Sequence, residues 1–325
     1  MSLLFVIKKF YAYDSGYSQI ANGLKTSAKF VVDMLRLEGY KAKLVEAIDG
    51  NSIDALVTKY KPSICILEAI WVTPAKMAEL KKLHPKIRFV VRVHSELPFL
   101  SNEGMAVEWL TEYNKLGIEI AFNSAITVRD FEVICPSAWL PNYYPVRKPG
   151  KVVKNSPELD IGCFGAIRPL KNQLLQCFAA IKYAKWKGKK LYFHINSTRT
   201  EQGGDNNLKS IKAALAATGN VLVEHPWMDH EDFLEIVQQM DICLQVSLSE
   251  SFNIVSADAI SMGVPLIGSV AIRWLPKRSQ APVDNAYDIA KTMLLADNTN
   301  VIMNHAALTT FLEESVDAWV AFLGD

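Results

Sequence analysis

Residues 242–267, ICLQVSLSESFNIVSADAISMGVPLI, show the pattern of the fold most clearly. The stretch begins and ends with apolar runs, at 242–246 and 264–267, and the segment 252–262 between them has the apolar spacing of a helix. Neither run alternates apolar with polar residues, which is typical of parallel strands covered on both faces. The stretch therefore predicts a strand, a helix and a second strand of a parallel α/β sheet.

The same alternation of apolar runs and helical segments continues on both sides of this stretch. Strands are predicted at 3–8, 43–47, 64–68, 88–93, 118–122, 159–164, 190–196, 221–224, 241–246 and 264–267. Helices are predicted near 24–38, 74–83, 103–115, 172–186, 207–217, 230–240, 252–262, 285–296 and 302–323, with Asp229 as an N-cap. This order of elements predicts doubly wound sheets.

The length of 325 residues is enough for two domains. Four prolines interrupt the pattern within 141–158, so this segment is predicted to be an interdomain linker. We expect a first domain over 1–145 and a second domain that begins at 146. Two such domains are expected to face each other across a cleft at the carboxyl ends of their strands, where ligands usually bind.

The composition is that of a packed globular protein. Half of the residues are hydrophobic and 21% are charged, which excludes a disordered chain. The 35 basic and 34 acidic side chains nearly balance, so no global charge attracts polyanions or membranes. Residues 1–150 carry 19 basic and 15 acidic side chains, so the N-terminal half is the more favourable side for a polyanion.

The cysteines and the apolar runs indicate the compartment. The five cysteines are widely spaced among apolar neighbours and form no C-x-x-C pair, so they are predicted to be core residues in a reducing compartment. The first apolar run is too short for a signal peptide, and no run approaches the roughly 20 apolar residues of a membrane span. We expect a cytoplasmic, soluble protein without stable membrane insertion.

The segment from Glu250 to Asp258 has the residue types of a sugar-nucleotide site. The first turn of a helix presents unpaired N–H groups that can hold a diphosphate, and carboxylates can accept hydrogen bonds from sugar and ribose hydroxyls. Eight residues of helix separate the two acids by about 12 Å, comparable with the distance from a transferred hexose to the ribose. Spacing alone also fits a Glu250 that merely precedes a helix and an Asp258 that is a solvated surface charge.

A second segment, GCFGAIRPLKN at 162–172, follows the first strand after the linker. Its glycines allow a tight turn beside a ligand, and Arg168 with Lys171 places two cations at the strand-to-helix turn. Two cations there can neutralise a diphosphate of about two negative charges. Basic residues beside a helix start are also commonly solvated.

Together the two segments resemble the donor domain of retaining GT-B glycosyltransferases of the group-1 or family-4 type. In that family an Arg and a Lys follow the first strand of the C-terminal domain, and a Glu-x7-Glu motif opens a helix that ends in a Gly-Val-Pro turn. The matching positions here are Arg168, Lys171, Glu250, Asp258 and the turn at 262–265. The resemblance covers about 159–270 and implies a GT-B fold, in which two Rossmann-like doubly wound domains face each other across a cleft.

The resemblance also implies a division of the chain and roles for its residues. The domains would be 1–145 on the acceptor side, 146–300 for the donor, and a last helix over 301–325 that crosses back onto the first domain. Glu250 would bind and support the donor sugar, Asp258 would bind the ribose, and Arg168 with Lys171 would clamp the diphosphate. The residues that would offer backbone N–H groups to the phosphates are Ser251, Phe252, Asn253 and Ile254.

In the N-terminal domain the resemblance assigns His94 and Gly16. His94 follows a predicted strand where the family places a catalytic His beside the transferred sugar, and it would donate to a sugar hydroxyl or oxyanion. Gly16 stands in the loop after the first strand, where the family has several glycines and this chain has one. Asp258 is one methylene shorter than the family's Glu. Asn253 replaces a common Gly, and asparagine is the next most tolerant residue of left-handed backbone angles.

The function implied is retaining, metal-independent transfer of a hexosyl or pentosyl group from a nucleotide diphosphate-sugar. No cofactor is expected beyond this co-substrate, and no Asp-x-Asp pair on a loop suggests a metal site. The acceptor stays open, with a glycan or small molecule favoured. Two alternatives remain: transfer onto modified bases of DNA, suggested by lysines and tyrosines within 8–29, and a non-catalytic nucleotide-sugar-binding module.

Overall fold

The computed structural model describes residues 1–9, 23–146 and 157–324. These residues group into two compact units, Met1–Pro145 with Leu312–Asp325, and Val146–Phe311. Each unit contains one six-stranded sheet, and the strand pairs of both sheets in the described parts of the chain are parallel. The architecture is therefore α/β in both units, as the unalternated apolar runs predict.

The first unit alternates strands and helices around a sheet that is covered on both faces. Its strands are β1 (Ser2–Lys8), β2 (Lys41–Ala47), β3 (Ile64–Glu68), β4 (Arg88–Val93), β5 (Glu119–Phe122) and β6 (Ala138–Trp139). Its helices are α1 (Gly23–Leu37), α2 (Ser52–Tyr60), α3 (Pro74–Leu83), α4 (Leu97–Leu100), α5 (Ala106–Lys115) and α6 (Ala125–Phe131). The strand order is β2-β1-β3-β4-β5-β6.

The second unit repeats this architecture. Its strands are β7 (Leu159–Gly162), β8 (Leu191–Asn196), β9 (Val221–His225), β10 (Ile242–Gln245), β11 (Leu266–Ser269) and β12 (Gln280–Ala281). Its helices are α7 (Gln173–Lys187), α8 (Gly204–Ala217), α9 (His230–Val237), α10 (Ile254–Ser261) and α11 (Ala286–Met293). The order β12-β11-β10-β7-β8-β9 reverses direction between β7 and β10, which makes that boundary the topological switch point of the sheet.

The last helix, α12 (Asn298–Gly324), begins three residues before its predicted start at 301. The boundary between the two compact units falls within it, after Phe311. Trp319, near its end, lies fully buried in the core of the first unit. The Trp319 ring centroid is 5.7 Å from that of Phe5, and its Nε1 donates to the Pro141 carbonyl at 2.9 Å.

The structure corrects several element boundaries. It adds α2, α4, α6, β6 and β12, which the apolar spacing does not reveal because α2 buries only Ile53 and Val57 and the others are short. Helix α10 begins at Ile254, two residues later than expected. Asp229 does occupy the N-cap of α9, but its side chain makes no capping hydrogen bond. Of the predicted linker, residues 147–156 lie outside the described residues.

The five cysteines are free and buried, as predicted for core residues. Burial raises the pKa of the Cys65 and Cys177 thiols to about 12, so neither is a thiolate at neutral pH. Among the described residues, no helix combines the length and apolar character that crossing a membrane requires.

Replacing Trp319 by alanine should lower the free energy of unfolding by about 3–5 kcal/mol, because it leaves a cavity in the core and removes the hydrogen bond to Pro141. The matched control is Trp186→Ala, since the Trp186 side chain is 42% exposed. We expect the control to cost about 1 kcal/mol or less, measured by urea denaturation. Equal losses in the two variants would contradict a core role for Trp319.

Candidate functional site

The residues predicted to bind a nucleotide sugar lie at the switch point of the second sheet. Lys171 follows β7 and Glu250 follows β10, and these two strands are hydrogen-bonded neighbours. Because the carboxyl ends of parallel strands meet at one edge of the sheet, the two side chains converge there. We refer to Arg168, Lys171, Glu201 and Glu250 as the switch-point site.

Lys171 and Glu250 form an ion pair that is largely shielded from water. The Lys171 Nζ atom lies 2.5 Å from Glu250 Oε1, and the two side chains are only 12% and 8% exposed. Charges at this depth are costly to leave without a partner, so the pair holds both side chains in place. The sequence placed the two residues in one site, but the pairing between them emerges only from the structure.

The turn that carries Lys171 depends on two left-handed residues. Gly165 has φ of 108°, and its N–H donates to Asn196 Oδ1 at 3.0 Å. Asn172 has φ of 56°, and its Nδ2 donates to the carbonyls of Val246 and Val283. The Gly165 bond ties the turn after β7 to the end of β8, and the bond from Asn172 to Val246 ties it to the end of β10. The second of these bonds holds Lys171 close to the segment that carries Glu250.

Arg168 pairs with a residue that the sequence analysis missed. Its Nη1 lies 3.3 Å from Glu201 Oε2, and Glu201 also binds Arg199 at 2.6 Å. The Arg199 guanidinium lies 4.8 Å from the ring centroid of Trp227. The two predicted clamp cations therefore contact different acids, Lys171 on the β10 side and Arg168 on the β8 side.

The loop before α10 is fixed by Asn253. This residue has φ of 67° and ψ of 84°, a left-handed conformation that fits a position where the resembled family has Gly. Its Oδ1 accepts from the Ser256 N–H at 2.8 Å, and its Nδ2 donates to Gln245 Oε1 at 2.9 Å. The Asn253 side chain thus caps the helix and anchors it to the end of β10.

The remaining predicted donor residues differ in their surroundings. Phe252 is 3% exposed and its ring packs against Trp274 and Phe311, so only its backbone could reach a ligand. Asp258 is 1% exposed and its Oδ1 lies 2.7 Å from His230 Nε2. This burial contradicts the alternative that Asp258 is a solvated surface charge, while its contact with ribose stays a prediction.

The first unit contains a buried polar cluster at the carboxyl ends of β3, β4 and β5. We call it the Glu68 cluster, after Glu68, Arg92, His94, Asn123 and Asn142. Arg92 Nη1 lies 3.0 Å from Glu68 Oε2, and Arg92 Nη2 donates to Asn142 Oδ1 at 2.6 Å. His94 Nε2 hydrogen-bonds Glu68, and its Nδ1 lies 3.4 Å from Asn123 Nδ2. The sequence identified only His94.

The backbone and the last helix support this cluster. Ala69, the residue after Glu68, has φ of 71°, and its N–H donates to the Arg92 carbonyl at 2.8 Å. Left-handed angles are unfavourable for alanine and persist where the surroundings over-determine them. The Arg92 guanidinium also lies 5.3 Å from the ring centroid of Trp319. The Glu68 cluster is therefore stabilised by the turn after β3, through Ala69, and by α12, through Trp319.

The charges in the Glu68 cluster determine its protonation. Burial by itself raises the pKa of Glu68, but the positive charge of Arg92, together with the hydrogen bonds from Arg92 and His94, outweighs it and holds that pKa below its usual value. Burial, and then the positive charge of Arg92, lowers the pKa of His94. At neutral pH we therefore assign an ionised Glu68 paired with Arg92, and a neutral His94.

Three further titratable side chains line neighbouring strands of the second sheet. His194 Nε2 lies 2.8 Å from Asp160 Oδ1, and His194 Nδ1 lies 2.9 Å from His225 Nε2. Burial, followed by the charge of His194, lowers the pKa of His225. Two imidazoles at this distance cannot both be protonated without strong repulsion.

The remaining features are the predicted loop glycine, the suggested polyanion surface and any group of metal ligands. Gly16, and the tyrosines of the suggested polyanion surface, lie outside the described residues. Lys25 pairs with Glu46 and Lys29 pairs with Asp33, so these two lysines each carry an acidic partner. Within residues 1–9, 23–146 and 157–324, no three His, Cys, Asp or Glu side chains are grouped as metal ligands.

The overall fold is similar to solved structures of sugar-transferring enzymes. Sucrose-phosphate synthase from Thermosynechococcus elongatus superposes with a TM-score of 0.71 at 12% sequence identity, over 99% of this chain and 98% of that chain. A UDP-forming α,α-trehalose-phosphate synthase from Burkholderia xenovorans gives 0.64 at 12% identity, over 100% and 98%. Anabaena HepE in complex with UDP and glucose gives 0.65 at 13% identity, over 98% and 96%.

The chain has the GT-B fold. The resemblance inferred from the motifs is thereby confirmed at the level of the fold, with two Rossmann-like doubly wound domains. Comparison with protein-family models and with curated protein sequences gave no match. Sequence identities of 12–13% support a shared GT-B fold and no more, so the role of each residue has to be argued from its own contacts in this structure.

Replacing Arg92 by leucine should lower the free energy of unfolding by about 3–5 kcal/mol, because the buried Glu68 carboxylate loses its cation. Arg88→Leu on the same strand is the matched control. Arg88 pairs with Glu119 at 2.8 Å, but these side chains are 35% and 38% exposed, so we expect a loss of about 1 kcal/mol or less. Denaturant titration of both variants tests this, and equal losses would contradict it.

The stability of the protein should fall as the pH decreases below about 6.5. The folded-state pKa values of His94 and His225 are lowered, so the unfolded chain binds protons first and acid favours unfolding. The contribution of these two histidines to stability is complete at pH values above the pKa of histidine in the unfolded chain, and it is lost as the pH falls below that value. Melting temperatures between pH 7.5 and 5.5 check this, and His225→Gln should show a shallower decrease. A decrease as steep as in the parent protein would exclude His225 as a contributor.

Proposed function

We propose that this GT-B chain is a glycosyltransferase, which moves a hexosyl or pentosyl group from a nucleotide diphosphate-sugar to an acceptor. The observation that carries the proposal is the shielded Lys171–Glu250 pair at the switch point of the second sheet. A cation and a carboxylate held there can bind a phosphate and a sugar hydroxyl side by side. The fold of the solved sugar-transferring enzymes supports the same conclusion.

The diphosphate is proposed to bind between two cations and the start of α10. Lys171 and Arg168 supply the positive charges, and the backbone from Ser251 to Ile254 supplies N–H groups near the positive end of the helix dipole. Such groups stabilise the negative charge that develops on a departing diphosphate. Glu250, already oriented by Lys171, would accept hydrogen bonds from hydroxyls of the donor sugar.

Asp258 is proposed to act on the ribose through His230. The Asp258 carboxylate is buried and contacts His230 Nε2, whereas the His230 side chain is 20% exposed. His230 can therefore present its other ring nitrogen to a ribose hydroxyl while Asp258 orients the ring. This arrangement compensates for an acid one methylene shorter than the Glu of the resembled family.

His94 is proposed to contact the transferred sugar as a hydrogen-bond acceptor. A neutral His94 whose Nε2 proton is donated to Glu68 has only an acceptor at Nδ1, and Asn123 Nδ2 lies 3.4 Å from that atom. A sugar hydroxyl that replaces the Asn123 amide there would donate to His94, whereas the sequence predicts His94 as the donor. Glu68 fixes this tautomer, which makes Glu68 a positioning residue.

We propose retention of anomeric configuration without a metal. The leaving diphosphate would accept the acceptor's proton while the acceptor attacks an oxocarbenium-like sugar from the same face. The protein then contributes positioning and charge stabilisation, and needs neither a nucleophile nor a metal. The first donor to test is UDP-glucose, because the HepE structure is a complex with UDP and glucose. A glycan or small molecule is the favoured acceptor, bound by the first unit.

Each of the two alternative functions can be distinguished from sugar transfer to a glycan or small molecule by an experiment. A DNA acceptor is suggested by Lys8 and Lys9, which are exposed at the end of β1, and it requires duplex binding that weakens steeply as salt rises. A non-catalytic nucleotide-sugar-binding module is suggested by the single glycine, Gly16, in the loop after the first strand and by Asp258, which is one methylene shorter than the Glu of the resembled family. Product formed from any labelled donor excludes the module.

Arg168→Ala should reduce sugar transfer by about 10²–10³-fold with the fold intact, because one cation is lost from the diphosphate site. Arg278→Ala is the matched control in the same unit, since Arg278 also forms a partly exposed ion pair, with Asp297 at 2.9 Å. Transfer is measured with donors that first raise the melting temperature in a panel of UDP-, GDP- and ADP-sugars. An Arg168→Ala variant with near parental activity would remove its role as a phosphate clamp.

A further inference from the structure

Helices α7 and α11 of the second unit present a surface that the proposed sugar transfer does not use. The two helices pack side by side. Four large side chains on them and at their ends are exposed: Phe178 at 51%, Trp186 at 42%, Tyr287 at 53% and Leu294 at 52%. The Trp186 and Tyr287 rings meet edge to face at 5.6 Å, so they form one continuous patch. We call this surface, with its neighbouring lysines, the α7–α11 face.

The same face is strongly cationic. The sequence from 172 to 190 contains no acidic residue, and the lysines of the face are Lys182, Lys185, Lys187, Lys190 and Lys291. Lys182 Nζ lies 5.6 Å from the Tyr287 ring centroid and 6.0 Å from that of Trp186. Asp284 precedes α11, and Asp288 on that helix lies 3.9 Å from Lys291 Nζ, so Lys291 has an acidic partner. The net positive charge beside the exposed aromatic rings therefore comes from the lysines of α7.

We propose that the α7–α11 face adsorbs to the surface of an anionic phospholipid bilayer. Trp and Tyr are the side chains that prefer the headgroup level of a membrane, where an aromatic body and a polar tip are both satisfied. Lysines with long apolar stems reach anionic headgroups from that depth. Phe178 and Leu294 add side chains without polar atoms, which gain from contact with acyl chains.

The apolar members of the face favour a bilayer over nucleic acid. A phosphate backbone is bound by cations, but it offers nothing that buries an exposed phenyl or isobutyl group. Contact at this face is peripheral and requires no membrane-spanning segment, so it is compatible with the absence of such a helix among the described residues.

Vesicle co-sedimentation tests the proposal with the intact chain. Vesicles of phosphatidylcholine with about one third phosphatidylglycerol are compared with vesicles of phosphatidylcholine alone, at low and at high salt. We expect binding to the anionic vesicles only, and weaker binding at high salt because surface charges are screened. Absence of binding to anionic vesicles at low salt overturns the proposal, as does equal binding to both kinds of vesicle.

A matched pair of variants locates the contact. The test variant carries Phe178→Ser, Lys182→Ser, Lys185→Ser and Trp186→Ser, and the loss of two lysines alone should weaken partitioning about 30-fold. The control variant carries Leu37→Ser, Lys59→Ser, Val133→Ser and Lys209→Ser, at positions exposed elsewhere, and should bind as the parent protein does. Circular dichroism confirms folding, and Lys182→Gln with Lys185→Gln replaces the test variant if it unfolds. Unchanged binding of the folded test variant overturns the proposal.

A parallel binding measurement with duplex DNA distinguishes nucleic acid from a bilayer as the ligand of this face. DNA binding that the test variant loses, together with no binding to anionic vesicles, would assign the face to nucleic acid and overturn the bilayer proposal. The outcome does not depend on sugar transfer, since Arg168→Ala should bind vesicles as the parent protein does.

Discussion

Parallel pairing is the constraint on which the rest of this structure depends. In a parallel sheet with helices on both faces, strand interiors are dry, and polar side chains gather where the strands end at a common edge. In the second unit the order of strands reverses between β7 and β10, and Lys171 and Glu250 follow those two strands. In the first unit the carboxyl ends of β3, β4 and β5 bring together the Glu68 cluster.

The two clusters solve the same electrostatic problem in different ways. A buried charge is costly in a dry interior, so each one has a partner of opposite sign or a set of hydrogen bonds. In the Glu68 cluster, the Arg92 guanidinium donates hydrogen bonds to Glu68, to Asn142 and to the carbonyls of Leu140 and Pro141. In the switch-point site, Lys171 has two further ammonium protons beyond the one directed at Glu250. A lysine can therefore add a phosphate contact without releasing its carboxylate.

Local order along the chain can be read from the sequence. Lys171 and Glu250 each follow an apolar strand, the resemblance to the GT-B family joined them into one predicted site, and the structure pairs them. The same resemblance singled out Asn253, which is left-handed in the structure. Partners that come from a distant strand cannot be read in this way. Glu68 ends an ordinary buried strand, Glu201 lies in a loop without a motif, and His230 is the first residue of α9. No local signal distinguishes these three from other polar residues.

The amino-acid sequence was enough to predict the α/β class and two parallel sheets, with five of the six strands of each. With the resemblance to the GT-B family it also singled out Arg168, Lys171 and Glu250 as candidates for one site. Apolar periodicity and strand-end chemistry are properties of neighbouring residues, so they can be read along the chain. Only the tertiary structure decided that Lys171 pairs with Glu250, that Arg168 pairs with Glu201, and that Glu68 sets the tautomer of His94. Those pairings depend on which strands become neighbours in the sheet. Burial of Lys171, Glu250 and Glu68 makes their pairings costly to break, because it removes the water that would otherwise solvate the charges.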